Sequence, residues 1–309
     1  MFTTRRRFAA LAAAAALGLT LTSGVSSAAV PSAAVPSAEA GPTEAATSSK
    51  QLHVMSYNLR YASDTPPNAW SARRPVMREQ LRQARPDLIG TQEGLYSQLK
   101  DVADDLGPAY DSIGLGREGG SKGEFMMIFF DQRRLEPLEY DHFWLSDTPD
   151  VIGSQTWGGC CPRMVTWVRF KDKASGGEFY AVNTHFEAFD ATARSKSADL
   201  LLQRIGGFDP TLPVIATGDF NEAGAAGQTV YDKLVSNGPL DDSWVTADRR
   251  SALYATFHGY RPLTPNGDRI DWILTTPGLE VSKASINTFQ KKNQFPSDHL
   301  PVEAWIKLP

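Results

Sequence analysis

Cysteine is nearly absent from this chain: of 309 residues only Cys160 and Cys161 carry a thiol, and they are neighbours. That excludes a disulfide-stapled scaffold, which needs bridges spread over a short chain. A strained vicinal disulfide and a buried thiol pair both stay open, with a thiolate nucleophile as the weakest reading. Long apolar runs are missing too. The run from Ala9 to Leu21 is short and alanine-rich, whereas a bilayer core of about 30 Å needs roughly 20 apolar residues. Nor is there an excess of positive charge. The formal net charge is -4, and it becomes about -7 if the segment holding Arg5, Arg6 and Arg7 is removed. An acidic surface repels duplex DNA at long range, which excludes a broad basic grip on long nucleic acid. A short nucleotide end or a small phosphate ester remains compatible. No internal repeat is evident.

What is present begins with an unusual first segment. Residues 1–28 join a charged start, a short apolar run and small residues beyond it, the pattern of a removable export signal. Thr4-Arg5-Arg6-Arg7-Phe8 resembles the twin-arginine signal that passes folded proteins across a membrane; an ordinary secretory signal is the alternative. Cleavage fits after Ala28 or as late as Ala40. Residues 29–50, rich in Ala, Ser, Pro and Thr, read as a flexible linker. Residues 51–309 are then expected to form the folded domain, and 41% hydrophobic residues suffice for a sizeable core. The mature protein is expected to be secreted and monomeric, with no transmembrane segment after signal removal.

From Gln51 onward, short apolar runs alternate with turn clusters. The pattern predicts strands over 52–57, 88–91, 125–130, 164–170, 179–184, 213–217, 269–274, 281–288 and 302–306. Helices are predicted over 74–84, 96–106, 192–205 and 226–237. This implies an α/β fold with two mostly antiparallel sheets and helices on their outer faces. Polar residues recur where those strands end: Asn58, Glu93, His185 and Asp219 follow apolar runs, and Asp298-His299 precede the last one. Asp271 falls inside an apolar strand and calls for a buried partner, for which His299 is a candidate. Converging strand ends would gather them into one site.

A hard divalent cation such as Mg²⁺, with Mn²⁺ as an alternative, prefers oxygen ligands and is commonly held by one or two carboxylates plus substrate phosphate. Glu93 is the leading carboxylate. Phosphoester hydrolysis then requires an aligned water and donors for the charge developing on phosphorus. Met55-Ser56-Tyr57-Asn58-Leu59-Arg60, Gln92-Glu93, Asn183-Thr184-His185-Phe186, Gly218-Asp219-Phe220-Asn221, Arg269-Ile270-Asp271-Trp272 and Ser297-Asp298-His299-Leu300-Pro301-Val302 occur in this order. Taken together they resemble the endonuclease/exonuclease/phosphatase family.

The resemblance implies a four-layer, DNase I-like α/β sandwich with one active site at the shared edge of its sheets. It implies Glu93 as the direct Mg²⁺ ligand, Asn58 as its companion in the metal site, and Asp298 as an aid to the metal or to a second ion. Asp219 would align or deprotonate the attacking water, with Asn221 beside it as a phosphate donor. His299 would contact the phosphoryl group, supported by Asp271, and His185 would donate to non-bridging oxygens. The base stays open between Asp219 and a metal-bound hydroxide.

The family handles many phosphoesters, so the fold does not name the substrate. Trp70 and Arg73 offer an aromatic face and a guanidinium to a ligand, or simply start a helix. Trp157 and Arg163 lie in a long loop, where Arg163 is a candidate phosphate contact and Trp157 a stacking surface; a rim packed by aromatics is the alternative. The pattern around Cys160-Cys161-Pro162-Arg163 looks more like a small bacterial branch than the DNA-repair nucleases, and the sphingomyelinase branch matches less well. The expected activity is a secreted metal-dependent phosphoesterase acting on a nucleotide, a nucleic acid end or a sugar phosphate. The competing readings are a glycoside hydrolase with paired acids and no metal, and a non-catalytic binding module.

Overall fold

The computed structural model describes residues 51–309; the export signal and linker expected over 1–50 lie outside the described residues. The elements in chain order are β1 (Leu52–Asn58), α1 (Trp70–Ala84), β2 (Leu88–Gln92), β3 (Gly94–Leu95), α2 (Tyr96–Leu106), β4 (Tyr110–Ile113), β5 (Glu124–Phe125), β6 (Ile128–Asp131), β7 (Leu135–Trp144), β8 (Met164–Asp172) and β9 (Glu178–His185). There follow α3 (Ala191–Ile205), β10 (Val214–Asp219), α4 (Thr229–Tyr231) running on as a π turn (Asp232–Ser236), β11 (Asp241–Asp242), α5 (Ser243–Thr246), β12 (Asp271–Thr275), β13 (Glu280–Ile286) and β14 (Val302–Lys307).

Two six-stranded sheets result, ordered β13-β14-β1-β2-β6-β4 and β11-β12-β10-β9-β8-β7. Each holds one parallel pair, β1 with β2 and β9 with β10, among antiparallel neighbours. This topology builds the site. A parallel pair presents two C-terminal ends at one edge, and an antiparallel neighbour brings its N-terminal end to that same edge. The edge therefore collects Asn58 and Gln92-Glu93 from one sheet, and His185 and Asp219 from the other. Asp271 arrives at the start of β12, and Ser297-Asp298-His299 arrive just before β14.

Side chains of a strand alternate between faces, and the four central strands share one gradient along the crevice between the sheets. The sequences Val54, Ser56, Asn58; Leu88, Gly90, Gln92; Ala181, Asn183, His185; and Ile215, Thr217, Asp219 each pass from apolar, through small or polar, to the polar edge. The apolar level joins one core of buried residues, including Leu52, Phe130, Phe170 and Ile273. Asn183 of the middle level accepts at Oδ1 from Gln92 Nε2 at 2.7 Å and donates from Nδ2 across the crevice to Thr91 O at 2.8 Å. The opposite faces are covered by helices. Met77 and Leu81 of α1 and Leu99 of α2 pack on Met55 and Tyr57, while Leu201 of α3 and Val230 of α4 pack against the cluster holding Val182 and Trp272. No helix among the described residues is long and apolar enough to cross a membrane.

The structure corrects several predicted elements. The strand expected over 125–130 breaks at Met126-Met127, because β5 leaves the large sheet to pair with β3. β7 has no counterpart among the predicted strands. Its Leu-Glu-Pro-Leu-Glu-Tyr sequence lacks a clean apolar period, and Pro137 is tolerated because β7 is an edge strand with a register shift between Pro137 and Glu139. The helix expected over 226–237 contracts to α4 and the π turn, and α1 begins at Trp70, four residues early. β12 begins at Asp271, so this acid stands at a strand end and not inside one.

Candidate active site

Asp219 is the hub. Its Oδ2 accepts from Asn58 Nδ2 at 2.9 Å and lies 3.5 Å from His185 Nε2 and 3.8 Å from His299 Nε2. Its Oδ1 accepts from the Asn221 backbone N–H at 3.0 Å. The result is a row, His185–Asp219–His299, tied by Asn58 to the other sheet. Asn58 also donates to Glu93 Oε1 at 3.0 Å, so one amide spaces the two acids. Glu93 and Asn221 adopt left-handed backbone conformations, with φ of 61° and 51°. Asn accepts that region readily; for Glu it costs energy that the surrounding structure must offset, as is common at functional sites.

His299 Nδ1 lies 2.9 Å from Asp271 Oδ2, and Thr256 Oγ1 accepts from the Asp271 N–H at 3.2 Å. Burial alone would push the His299 pKa down, but the Asp271 and Asp219 carboxylates outweigh it and raise it to about 10. His299 is therefore a cation at neutral pH, with Nε2–H facing the row. Burial, followed by the charge of Asp271, pushes Asp219 up to about 7. Burial and then the charges of Arg163 and His299 push His185 down, keeping it neutral. Asn221 Nδ2 lies 3.0 Å from both Phe186 O and His185 Nε2, so its two amide hydrogens brace the far side of Asp219.

A cationic group already marks a place for a metal. Arg60 Nη1 stands 3.7 Å from Glu93 Oε2, and Arg60 Nε stands 3.6 Å from Asp298 Oδ2. Two carboxylates from different segments thus converge on one positive centre. That all-oxygen donor chemistry fits a hard divalent cation. Asp219, Asp271 and His299 also bring one ligand atom each within 4.8 Å of one another. The short hydrogen bond between Asp271 and His299 is better suited to holding His299 charged than to sharing an ion, so Glu93 and Asp298 are the better pair.

The four residues expected to read the substrate separate. Arg73 is fully buried, and its guanidinium donates to the carbonyls of Asn68, Leu59, Pro296, Arg60 and Tyr61 at 2.8–3.1 Å. It cannot touch a ligand. It ties the loop after β1 to the segment carrying Asp298 and His299, a role invisible in sequence because its acceptors are backbone atoms up to 223 positions away. Trp70 is likewise consumed, donating from Nε1 to Asp101 Oδ2 at 2.8 Å. Trp157 donates to Asp147 Oδ1 at 2.6 Å and packs on the α3 side, which makes it rim packing. Arg163 is buried too, and its Nη2 lies 3.6 Å from Cys160 Sγ. Its Nε donates to Glu187 Oε2 at 3.1 Å, and its buried Nη1 has no partner among the described residues. Cys160 and Cys161 are joined as a disulfide.

Arg73 has a testable consequence. Lys in its place keeps the charge but not the planar fork, so several carbonyls lose their donor. Arg73→Lys is expected to lose about 2–4 kcal/mol in chemical denaturation. A loss below about 0.5 kcal/mol, the level of an ordinary surface change, would show that Arg73 is not a strut.

Sequence reasoning assigns no role to Arg60, Thr256, Glu187 or Ser297. Ser297 Oγ donates to Asn58 O at 2.7 Å, tying the segment before β14 to the end of its neighbour β1. Arg60 stands within a quoted motif, and its nearness to Asn58 is the available signal.

The fold and the row of acids, amides and histidines at its edge define a phosphoester hydrolase. Residues 55–299 match the model described as Endonuclease/Exonuclease/phosphatase family, and the chain belongs to that family. Among solved structures it is 37% identical to the mannosyl-6-phosphatase Bt3783 of Bacteroides thetaiotaomicron VPI-5482, with a TM-score of 0.77 over 82% of this chain and 99% of that one. An endonuclease/exonuclease/phosphatase from Bacteroides vulgatus is 32% identical, with a TM-score of 0.78 over 84% and 99%. The human Nocturnin catalytic domain, 19% identical with a TM-score of 0.65 over 84% and 95%, shares the fold alone. No curated protein matches the chain.

Proposed function

We propose that the chain is an exported, Mg²⁺-dependent phosphomonoesterase that removes phosphate from a sugar. The observation that carries the reaction class is the row His185–Asp219–His299 set beside the Glu93/Asp298 pair. The sugar phosphate is supported by the likeness to a mannosyl-6-phosphatase. The acidic sequence favours a small ester over extended duplex nucleic acid. Export and secretion rest on residues 1–28, and a monomer is the simplest assembly for a site completed within one chain.

Asp219 accepts the proton of the attacking water, a task suited to a carboxyl held near neutrality. Asn58 and the Asn221 N–H fix its two oxygens. His299, kept cationic by Asp271, donates from Nε2 to a phosphoryl oxygen as charge develops. Arg163 offers its unpaired Nη1 to a second oxygen. A divalent cation held by Glu93 and Asp298 would supply Lewis-acid stabilisation of the phosphoryl oxygens.

The test is hydrolysis of mannose 6-phosphate, bis-p-nitrophenyl phosphate and short RNA with Mg²⁺ or EDTA, beside Glu93→Ala. Release of phosphate from the sugar ester, abolished by EDTA and reduced about a hundredfold or more in the variant, is expected. Turnover that survives both the chelator and Glu93→Ala would overturn the mechanism, and preferential cleavage of the diesters would move the substrate class.

A further inference from the structure

Two phenylalanines stand in water on the segments next to the two histidines of the row, Phe189 four residues beyond His185 and Phe257 bridged to His299. Phe189 is 84% exposed and Phe257 43% exposed. Single exposed apolar residues are ordinary on a protein surface. These two differ in their surroundings: Phe257 is carried on backbone bridged to His299, and Phe189 on a loop that leaves β9 just after His185 and is held by Glu187 and Arg194.

Phe257 forms a bridge with His299, and their ring centroids lie 5.0 Å apart at 51°. Its neighbours are locked: Thr256 and His258 are buried, the Leu300 N–H donates to Thr256 O at 2.7 Å, and the His258 N–H donates to Asp298 O at 2.9 Å. Extended backbone alternates inward and outward, so residue 257 is turned outward beside His299.

Phe189 lies four residues beyond His185. The Phe186 N–H donates to Asp219 O at 2.9 Å, the Phe189 N–H donates to Glu187 Oε1 at 3.0 Å, and Glu187 is held by Arg163 at 3.1 Å. Arg194 Nη1 fixes the carbonyls of Glu187 and Ala188, both at 3.0 Å. The ring is exposed on a loop that is tied down.

The crevice beneath the row is closed by Gln92, Asn183 and Thr217, all buried, with Asn183 Oδ1 accepting from both Gln92 Nε2 and Thr217 Oγ1. A phosphoryl group seated on Asp219 and His299 therefore has its organic part directed outward, over the rim that carries these rings. We propose that Phe189 and Phe257 form an aromatic platform that receives the apolar C–H face of a ring-bearing leaving group, selecting phosphate esters of a pyranose over acyclic ones. Binding sites join apolar and aromatic surface to a few placed polar groups, and this platform supplies the first beside the phosphate-binding second. The inference rests on the phosphomonoesterase reading.

The experiment compares mannose 6-phosphate with glycerol 3-phosphate as substrates for the full enzyme with Mg²⁺ and for Phe189→Ala, Phe257→Ala and Phe257→Leu. Each variant is expected to raise KM for the hexose ester about tenfold, the scale of one lost aromatic contact. The kcat should stay within about twofold, and KM for the glycerol ester should not move. Phe257→Leu keeps an apolar cover over His299 without a flat ring, so a leucine variant with wild-type KM would assign Phe257 to shielding and overturn its part in the platform. Equal KM changes for both esters, or none, would overturn the platform while leaving the phosphomonoesterase standing. If the wild type hydrolyses neither ester, the functional reading falls and the platform with it.

Discussion

Replacing Asp219 by asparagine is expected to lower kcat on a phosphate monoester about a thousandfold, within the range that one positioned acid–base group contributes. The substitution keeps shape and removes charge. The introduced amide has a single oxygen, so it can accept from Asn58 Nδ2 or from the Asn221 N–H but not from both, and one of these bonds is lost together with the proton acceptor. The effect on stability should run the other way. The folded-state pKa of Asp219 is raised to about 7, above the ordinary 3.8. Between those values the folded protein binds a proton that the unfolded chain has released, so this group's contribution falls as pH rises from about 4 to about 7. At pH 8 the neutral variant no longer holds a buried carboxylate against Asp271. Its melting temperature in EDTA is expected to equal or exceed that of the wild type. Steady-state kinetics with Mg²⁺ and thermal denaturation in EDTA check both halves. Activity within tenfold of wild type would remove Asp219 from the chemistry, and a clear loss of Tm would show that the lost hydrogen bond outweighs the relief of the buried charge.

Gly90→Ala is expected to cost at least about 3 kcal/mol in urea unfolding, with activity lost alongside. Gly90 lies mid-strand in β2 at the middle level of the crevice. A Cβ there would meet Thr217 Oγ1 at 1.9 Å and Asn183 Oδ1 at 2.7 Å. Neither atom is the loose end of a flexible chain. Thr217 Oγ1 donates to Val182 O at 3.1 Å, and Asn183 donates to Thr91 O and Met127 O. The sheets must separate locally or the network must break. Pairing Gly90→Ala with Thr217→Ala removes the closest atom and should recover part of the loss, a coupling that a double-mutant cycle reads directly. Additive effects would show that the clash is relieved elsewhere.

Much of the site was legible because phosphoester chemistry uses residue types that apolar strands otherwise avoid. Asn58, His185 and Asp219 each interrupt such a run at its end, and short motifs in fixed order name them together. The fold followed from the same runs. What stayed hidden depends on contacts that no local pattern records. Arg73 reads as a solvated helix residue until five carbonyls surround it, four from the loop after β1 and one, Pro296 O, 223 positions away. β7 reads as a loop because an edge strand needs neither a full apolar face nor every N–H. The roles of Phe189 and Phe257 follow from exposure, which composition does not reveal.

The hydrogen bond from Asn58 to Asp219 joins positions 161 residues apart. Contacts that close so long a loop are rewarded only after much chain entropy has been lost, and they form late when a chain folds. Neither sheet alone carries a working half-site: one would hold Glu93 and Asp298 without Asp219, the other Asp219 and Asp271 without His299. Onset of activity during refolding is therefore a clock for the docking of the two sheets, and neither sheet alone starts it.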